Sequence, residues 1–346
     1  MEAQEDSSNR IHRRVTVLAA GSWGTALAMV LAENGFQVML WTRSEEHAAA
    51  MNKQRKNEKY LQDVMLPNNI TATSSLEEAI AASELVLFVS PSAAMRQVAQ
   101  AASPYIKDEM LIVHATKGFE ADTLKPMSIV LAEELQRPVE NIVVLSGPSH
   151  AEEVVRRLPT TVVVAAGELV CAERAQDAFI NTAFRVYTNQ DVAGVEIAGA
   201  LKNIIALGAG LSDGLQYGDN ARAALMTRGL AEIVRLGVQM GANPLTFAGL
   251  AGVGDLIVTC TSKHSRNWRA GYKLAQGESL SDVLHTMGMV VEGVKTTRAT
   301  YQLAEKYQVE MPITTQLYEV LFNGKQPKLA VEALMGRIRT NEIEQF

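Results

Sequence analysis

Residues 15–35 read VTVLAAGSWGTALAMVLAENG. Val15 to Ala19 is a short apolar run ending in small residues, and Thr25 to Ala32 follows with helical spacing until Asn34-Gly35 closes it. The pattern is strand, tight turn, helix. In the turn, Ala19-Ala20-Gly21-Ser22-Trp23-Gly24 stands where a dinucleotide fingerprint belongs, opening a helix whose free N–H groups can hold a pyrophosphate. The fingerprint is Gly-x-Gly-x-x-Gly, and its first position, which serves the tight turn, is Ala19 here. Gly21 and Gly24 remain for close approach of backbone to phosphate and for close helix packing. A strand–helix connection that is merely rich in small residues is the bland alternative, and the surrounding βαβ frame favours the dinucleotide.

That frame extends outward. Phe36 to Trp41 reads as a second strand, Glu45 to Gln54 as a helix, and Ser75-Leu76-Glu77-Glu78 as a capping box opening a helix that runs to Ala82. Leu85 to Val89 and Met110 to Ala115 are continuous apolar runs, as expected of parallel strands buried on both faces, with a helix from Ala93 to Ala101 between them. Ile142 to Leu145, Thr161 to Ala165 and Phe184 to Tyr187 extend the sheet. The order predicts a Rossmann-like, doubly wound parallel sheet, an α/β domain over residues 13–190, with ligands beyond the carboxyl ends of its strands. The second strand ends Trp41-Thr42-Arg43-Ser44, where an acidic residue would bond a ribose 2'-hydroxyl. Arg43 suits a 2'-phosphate instead, which favours NADP(H) and leaves NAD(H) open.

After Asn189 the texture changes. Val192 to Leu211 is an almost wholly apolar helix, and Leu225 to Met240, Leu274 to Met287, Glu292 to Tyr307 and Pro312 to Leu321 carry helical spacings, so residues 191–346 are expected to form an all-helical substrate and catalytic domain. Within the first of these helices, Gly199-Ala200-Leu201-Lys202-Asn203 buries an ammonium and a carboxamide. An unpaired ammonium in apolar surroundings is pushed toward neutrality, so Lys202 needs a carboxylate or a role that uses a lowered pKa. Glu196 is six residues away, off the face, and no acid stands at i±3 or i±4. Asp255, after the glycine-rich turn Leu250 to Gly254, is a natural partner; capping the next helix is its simpler alternative. Thr259 to Asn267 then reads as a loop of hydroxyls, cations and an amide that could grip a phosphate. Cys260 and His264 in it are too few to make a metal site, and none is expected. Lys117 and the stretch Ser146 to Ala151 follow strands where an α/β sheet binds ligands.

Composition excludes whole classes of function. The chain has 346 residues, long for one core, and 32 Lys+Arg against 38 Asp+Glu leave a net charge of −6. No global basic field draws it to nucleic acid or anionic lipid. Two cysteines, Cys171 and Cys260, fit a reducing, cytoplasmic compartment. No uninterrupted apolar run reaches the roughly 18 residues of a membrane span, and residues 1–12 read as a disordered tail.

Taken together, these residues resemble the NAD(P)-dependent glycerol-3-phosphate dehydrogenases of the bacterial type. The resemblance runs from Val15 to about Arg339 and is most specific at Gly199-Ala200-Leu201-Lys202-Asn203, Gly208, Asp213-Gly214 and Gly218-Asp219-Asn220; Ser265-Arg266-Asn267 and Val290-Val291-Glu292-Gly293 fit as well. It implies reversible reduction of dihydroxyacetone phosphate to sn-glycerol 3-phosphate, feeding phospholipid synthesis, in a homodimer. It further implies that Lys202 is the proton donor and acceptor and that Lys117 and Asp255 line the reacting centre. Gly147, Ser149, Ser265, Arg266 and Asn267 fall on substrate contacts, and Ser22, Trp23, Arg43, Lys117, Ala151, Arg266, Val290 and Glu292 on cofactor contacts. A dinucleotide sensor without turnover, or a reductase of the 6-phosphogluconate or hydroxyacid type, would share the architecture. A sensor has no need of a buried acid, and a carboxylate substrate no need of a phosphate grip.

Overall fold

The computed structural model describes residues 13–287, 290–339 and 341–342, and the expected tail 1–12 lies outside them. The chain divides into two compact units. Of the described residues, one unit comprises those through Thr116 together with Met127–Val192; the other comprises Lys117–Pro126 and those from Ala193 onward. The excursion 117–126 therefore groups with the C-terminal half, which a single boundary near residue 190 does not describe.

The first unit is built on ten strands: β1 (Arg14–Leu18), β2 (Gln37–Trp41), β3 (Lys56–Asn57), β4 (Leu61–Met65), β5 (Ile70–Thr73), β6 (Ser83–Phe88), β7 (Leu111–His114), β8 (Ile142–Ser146), β9 (Thr160–Ala165) and β10 (Phe184–Asn189). Eight form one sheet in the order β10-β9-β8-β7-β6-β1-β2-β5, and β3 and β4 form a separate antiparallel pair. Alternate side chains go to opposite faces, as the period of two requires. Val15, Val17, Val38, Leu40, Leu85, Leu87, Leu111 and Val113 enter the core under the helices Ser22–Glu33 and Leu169–Phe179. Met39, Trp41, Val86, Phe88 and Ile112 enter the core on the other face, under Met95–Ala102 and Met127–Leu135. The chain order reverses between β1 and β6, so the switch point of the sheet lies at the carboxyl end of β1, beside the glycine turn.

Two sequence expectations need correction here. The sheet is mostly parallel rather than wholly so, because β8 and β9 pair antiparallel. Their connection holds only the short helix Ala151–Val154, too little for the helical crossover that parallel neighbours need, and such reversal near a sheet edge is common. Ser75 does cap its helix, accepting from the Glu78 N–H at 3.2 Å, but the Glu78 carboxylate accepts from the Thr73 hydroxyl.

The second unit is helical. Its helix Val192–Gly214 is long and apolar enough to cross a membrane by length and composition, yet 89% of its apolar window is buried, as befits the core helix around which the unit is built. The helix expected over Leu274 to Met287 is two, Arg266–Ala275 and Leu280–Met287, because Gly277 at φ +91° breaks the register.

Among the described residues with positive φ, Ala19 lies outside the left-handed helical region that the other non-glycine ones occupy. Its φ is +113°, a region that glycine enters freely and alanine does not. Its carbonyl points at Gly24, where an added Cβ would lie 2.0 Å from the Ala19 oxygen. Relieving a strained φ is worth about 1–3 kcal/mol, while the looser unfolded chain of a glycine variant costs about 0.4–1 kcal/mol. Ala19→Gly should therefore raise unfolding free energy by about 1 kcal/mol in urea titration; a lower midpoint would refute the strain.

Candidate functional site

In the helical unit, Lys202 and Asn203 sit midway along Val192–Gly214 and are both buried. The helix Arg266–Ala275 crosses this one at glycine-limited distance: a Cβ on Gly210 would lie 1.9 Å from the Trp268 oxygen, and one on Gly271 would lie 2.0 Å from the Leu207 oxygen. That approach brings the start of the second helix onto Asn203. Asn267 donates to Asn203 Oδ1 at 2.8 Å, and the Gly293 N–H donates to Asn267 Oδ1 at 2.8 Å. Gly293 follows Glu292, which opens the helix Glu292–Tyr307; Glu292 and Val290 are half-buried. Ser265 is the N-cap of Arg266–Ala275, accepting from the Trp268 N–H at 3.3 Å, and Arg266 stands exposed at the first position of that helix.

Asp255 is the first residue of the helix Asp255–Thr261, reached through the π-helical turn Leu250–Gly254, and makes no cap. Its side chain is 1% exposed and lies between two ammonium groups. Lys202 donates to Oδ1 and Lys117 to Oδ2, the latter at 2.6 Å. The partner that Lys202 needs is thus supplied 53 residues downstream. Lys202 also donates to the Thr259 hydroxyl at 2.6 Å, which passes its own proton to the Asp255 backbone oxygen at 2.6 Å, one helical turn back. Thr259 was not singled out by sequence; its signal was the i, i+4 spacing from Asp255, hidden because Thr259 to Thr261 reads as loop and is helix.

Two cations against one carboxylate leave an excess positive charge. Burial pushes the Lys202 ammonium down from the ordinary lysine value to about 7; Asp255 opposes that shift and Lys117 adds to it. Burial alone would raise the Asp255 carboxyl, but the two ammonium groups outweigh it and hold it below its usual value. Burial likewise pushes the neighbouring Cys260 thiol up to about 12, so it offers neither a nucleophile nor a thiolate ligand. The arrangement can donate a proton near neutral pH to an oxygen that is gaining negative charge.

The sheet unit carries the other expected residues. Gly21 is the N-cap of Ser22–Glu33 and has no side-chain bond to the helix; the first intrahelical bond runs from the Thr25 N–H to the Gly21 oxygen at 2.9 Å. The N–H groups of Ser22, Trp23 and Gly24 therefore precede the helical ladder and are available to an anion. A Cβ on Gly21 would meet nothing within 4 Å, so there is open space above the turn for a phosphate, and the turn fits a pyrophosphate. Trp23 packs half-buried against the core, and Ser22 donates to the Tyr60 oxygen at 3.2 Å. Arg43 is exposed just past β2, without an ion pair among the described residues. After β8, Gly147 has φ +133°, Ser149 donates to its oxygen at 2.9 Å, and Ala151 begins the short helix. Among the residues expected at a site, the fold brings Lys117, Lys202 and Asp255 into direct contact, and gathers Ser265, Arg266 and Asn267 at one helix start.

Comparison with known proteins agrees across both units. Residues 14–172 match the model for the N-terminus, and residues 191–332 the model for the C-terminus, of NAD-dependent glycerol-3-phosphate dehydrogenase. The glycerol-3-phosphate dehydrogenase [NAD(P)+] of Lysinibacillus sphaericus is 58% identical over 96% of this chain and 99% of its own length. The crystal structure of the glycerol-3-phosphate dehydrogenase of Coxiella burnetii is 38% identical, with a TM-score of 0.90 covering 94% of this chain and all of that one. The corresponding structure from Saccharomyces cerevisiae is 28% identical, with a TM-score of 0.80 covering 92% and 98% of the two chains.

Removing the central carboxylate charge exposes what it balances. Asp255→Asn leaves the buried Lys202 ammonium and the half-buried Lys117 ammonium without their anion and should cost roughly 3–5 kcal/mol of stability at pH 7. Lys202, already lowered to about 7 in the parent, loses the anion that holds it up and falls further, so near pH 7 the folded variant binds fewer protons than the folded parent and its stability rises more with pH. The deficit relative to the parent should therefore narrow between pH 7 and 9 in urea unfolding. A deficit that grows with pH would contradict the charge balance.

Proposed function

Because the chain belongs to the NAD-dependent glycerol-3-phosphate dehydrogenase family, we propose that it reversibly reduces dihydroxyacetone phosphate to sn-glycerol 3-phosphate with Lys202 as general acid and base. Its activity is that of an NAD(P)+-dependent glycerol-3-phosphate dehydrogenase. The observation that carries the residue assignment is the cluster of buried Lys202 and Asp255 with half-buried Lys117, an arrangement that simple cofactor binding would not need.

When bound, the reduced nicotinamide supplies a hydride to C2 of the ketone. Charge then grows on the carbonyl oxygen, and the third N–H of Lys202, beyond those given to Asp255 and Thr259, protonates it. Lys202 is left neutral, a state that its burial favours, and in the oxidative direction it takes the proton back. Lys117 stabilises the developing oxyanion electrostatically. Arg266 and Asn267 hold the remote phosphate, whose binding energy orients the carbonyl. On the cofactor, the N–H groups from Ser22 to Gly24 take the pyrophosphate and Arg43 favours a 2'-phosphate, so NADPH should bind more tightly than NADH; the reverse order in paired titrations would remove that role from Arg43. The product serves as a glycerophospholipid precursor, in a homodimer in the cytoplasm; both cysteines are free thiols, in keeping with a reducing compartment.

Lys202→Ala should lower kcat by roughly 10²- to 10⁴-fold while leaving the Kd for NADPH within about twofold. In the parent, ketone reduction needs the ammonium, so kcat/KM for ketone reduction should fall as pH rises through about 7, and kcat/KM for alcohol oxidation should rise over the same range. A kcat within about threefold of the parent would remove Lys202 from the reaction.

Arg266→Ala should raise KM for dihydroxyacetone phosphate by roughly tenfold or more, the worth of a charge-assisted hydrogen bond, with little change in residual activity on unphosphorylated dihydroxyacetone. Equal effects on both substrates would put the phosphate elsewhere.

A further inference from the structure

Asn57 has no motif to announce it. It ends the two-residue strand β3, is 0% exposed, and spends its whole carboxamide on the glycine turn and the residue behind it. Its Nδ2 donates to the Ala20 oxygen at 2.9 Å and to the Thr25 hydroxyl at 2.8 Å. Its Oδ1 lies 3.0 Å from Nε2 of His47, whose Nδ1 lies 3.3 Å from the Thr42 hydroxyl.

The proton positions follow from the chemistry of the partners. A backbone oxygen only accepts, so the amide nitrogen must face Ala20 and the amide oxygen must face His47. His47 therefore donates from Nε2 to Asn57, and its Nδ1 lies against the Thr42 hydroxyl. The result is a directed chain from Thr42 through His47 and Asn57 to the turn.

From this we infer that Asn57 is a positioning residue for cofactor binding, holding the Ala20–Gly21 peptide and, through it and Thr25, the helix start whose Ser22, Trp23 and Gly24 N–H groups take the pyrophosphate. In a planar trans peptide the carbonyl and the next N–H point in opposite directions. With the Ala20 oxygen held on Asn57, the Gly21 N–H points away from Asn57 and the peptide plane leading into the helix is fixed. The need for such a hold is local. Ala19, one residue earlier, is at φ +113°, and an alanine stays in that region only where its surroundings over-determine it. Asn57 fixes the turn on one side of Gly21 through Ala20 and on the other through Thr25 in the first turn of the helix. Its chain also begins at Thr42, next to Arg43, so the two ends of the cofactor's adenosine portion are set by one hydrogen-bonded unit. The inference rests on the reading that this turn holds the pyrophosphate.

Asn57→Asp tests it, because the side chain keeps its size and its acceptor toward His47 but presents an oxygen to the Ala20 oxygen. NADPH titrated by fluorescence should show a Kd at least tenfold higher, while kcat at saturating NADPH stays within about twofold, since Asn57 touches no reacting atom. Thr25→Val, nearly isosteric, removes one of the two bonds and should raise Kd by a smaller factor, about two- to fivefold, so the inference stays testable if the aspartate variant folds poorly. An unchanged Kd in both variants, with the parent binding NADPH normally, overturns the inference alone. Loss of kcat at saturating NADPH with Kd unchanged also overturns it. Failure of the parent to bind either nicotinamide dinucleotide overturns the pyrophosphate reading and the inference with it.

Discussion

A carboxylate buried between two ammonium groups is the interaction on which the helical unit depends. Asp255 at 1% exposure could not stay ionised alone, and Lys202 could not stay charged without it. Each member makes the others tolerable, and the sum retains a positive charge. That residue of charge is the useful part: a fully neutral cluster would offer nothing to a growing oxyanion, and an isolated lysine would be neutral well below physiological pH. The surrounding fold serves this balance. Thr259 takes a second N–H of Lys202, and the glycine-limited crossing of Val192–Gly214 with Arg266–Ala275 keeps the polar pair Asn203 and Asn267 alongside it.

How much of this could be read from sequence depended on whether a residue's need was local or distant. An ammonium in an apolar helix with no acid one turn away declares that its partner lies elsewhere, and Asp255 after a glycine-rich turn was the candidate. The strands were legible because burial on both faces leaves continuous apolar runs, and Gly24 because its spacing from Gly21 carries the fingerprint. Strand direction was not legible: Thr161 to Ala165 looks the same parallel or antiparallel, and only the short connection after β8 decides it. Lys117 sharing the carboxylate of Asp255 depends on an approach between residues 138 apart, which no spacing encodes. Asn57 was invisible for a related reason, since a two-residue strand has no periodicity and its value lies wholly in what it touches.

The departure at Ala19 illustrates how one local violation is held by its neighbours. The fingerprint wants glycine there because the backbone turns through positive φ, and the chain does so regardless, at +113°. The methyl group adds strain that the hydrogen bonds of the turn must offset. Gly24 cannot relax in compensation, because the Ala19 oxygen fills the space a side chain would need.

Both units reach the same end by different means in a chain whose net charge is −6. Exposed charges farther apart than about 8 Å are largely screened at physiological salt, so the overall negative balance has little say in whether an anion binds. What decides it is the set of donors within one or two bonds of the ligand. The sheet unit supplies backbone N–H groups at a helix start, which carry partial charge, need no counter-ion and are fixed by the fold. The helical unit supplies full charges, which attract more strongly but must be partly neutralised to be buried at all, and which can therefore be tuned to release a proton. A pyrophosphate keeps its charge throughout and suits the fixed dipoles. In the proposed reaction, an oxygen that gains and loses charge within one turnover needs a partner whose own protonation can change, and among these groups that property belongs to the lysine whose pKa burial has brought to about 7.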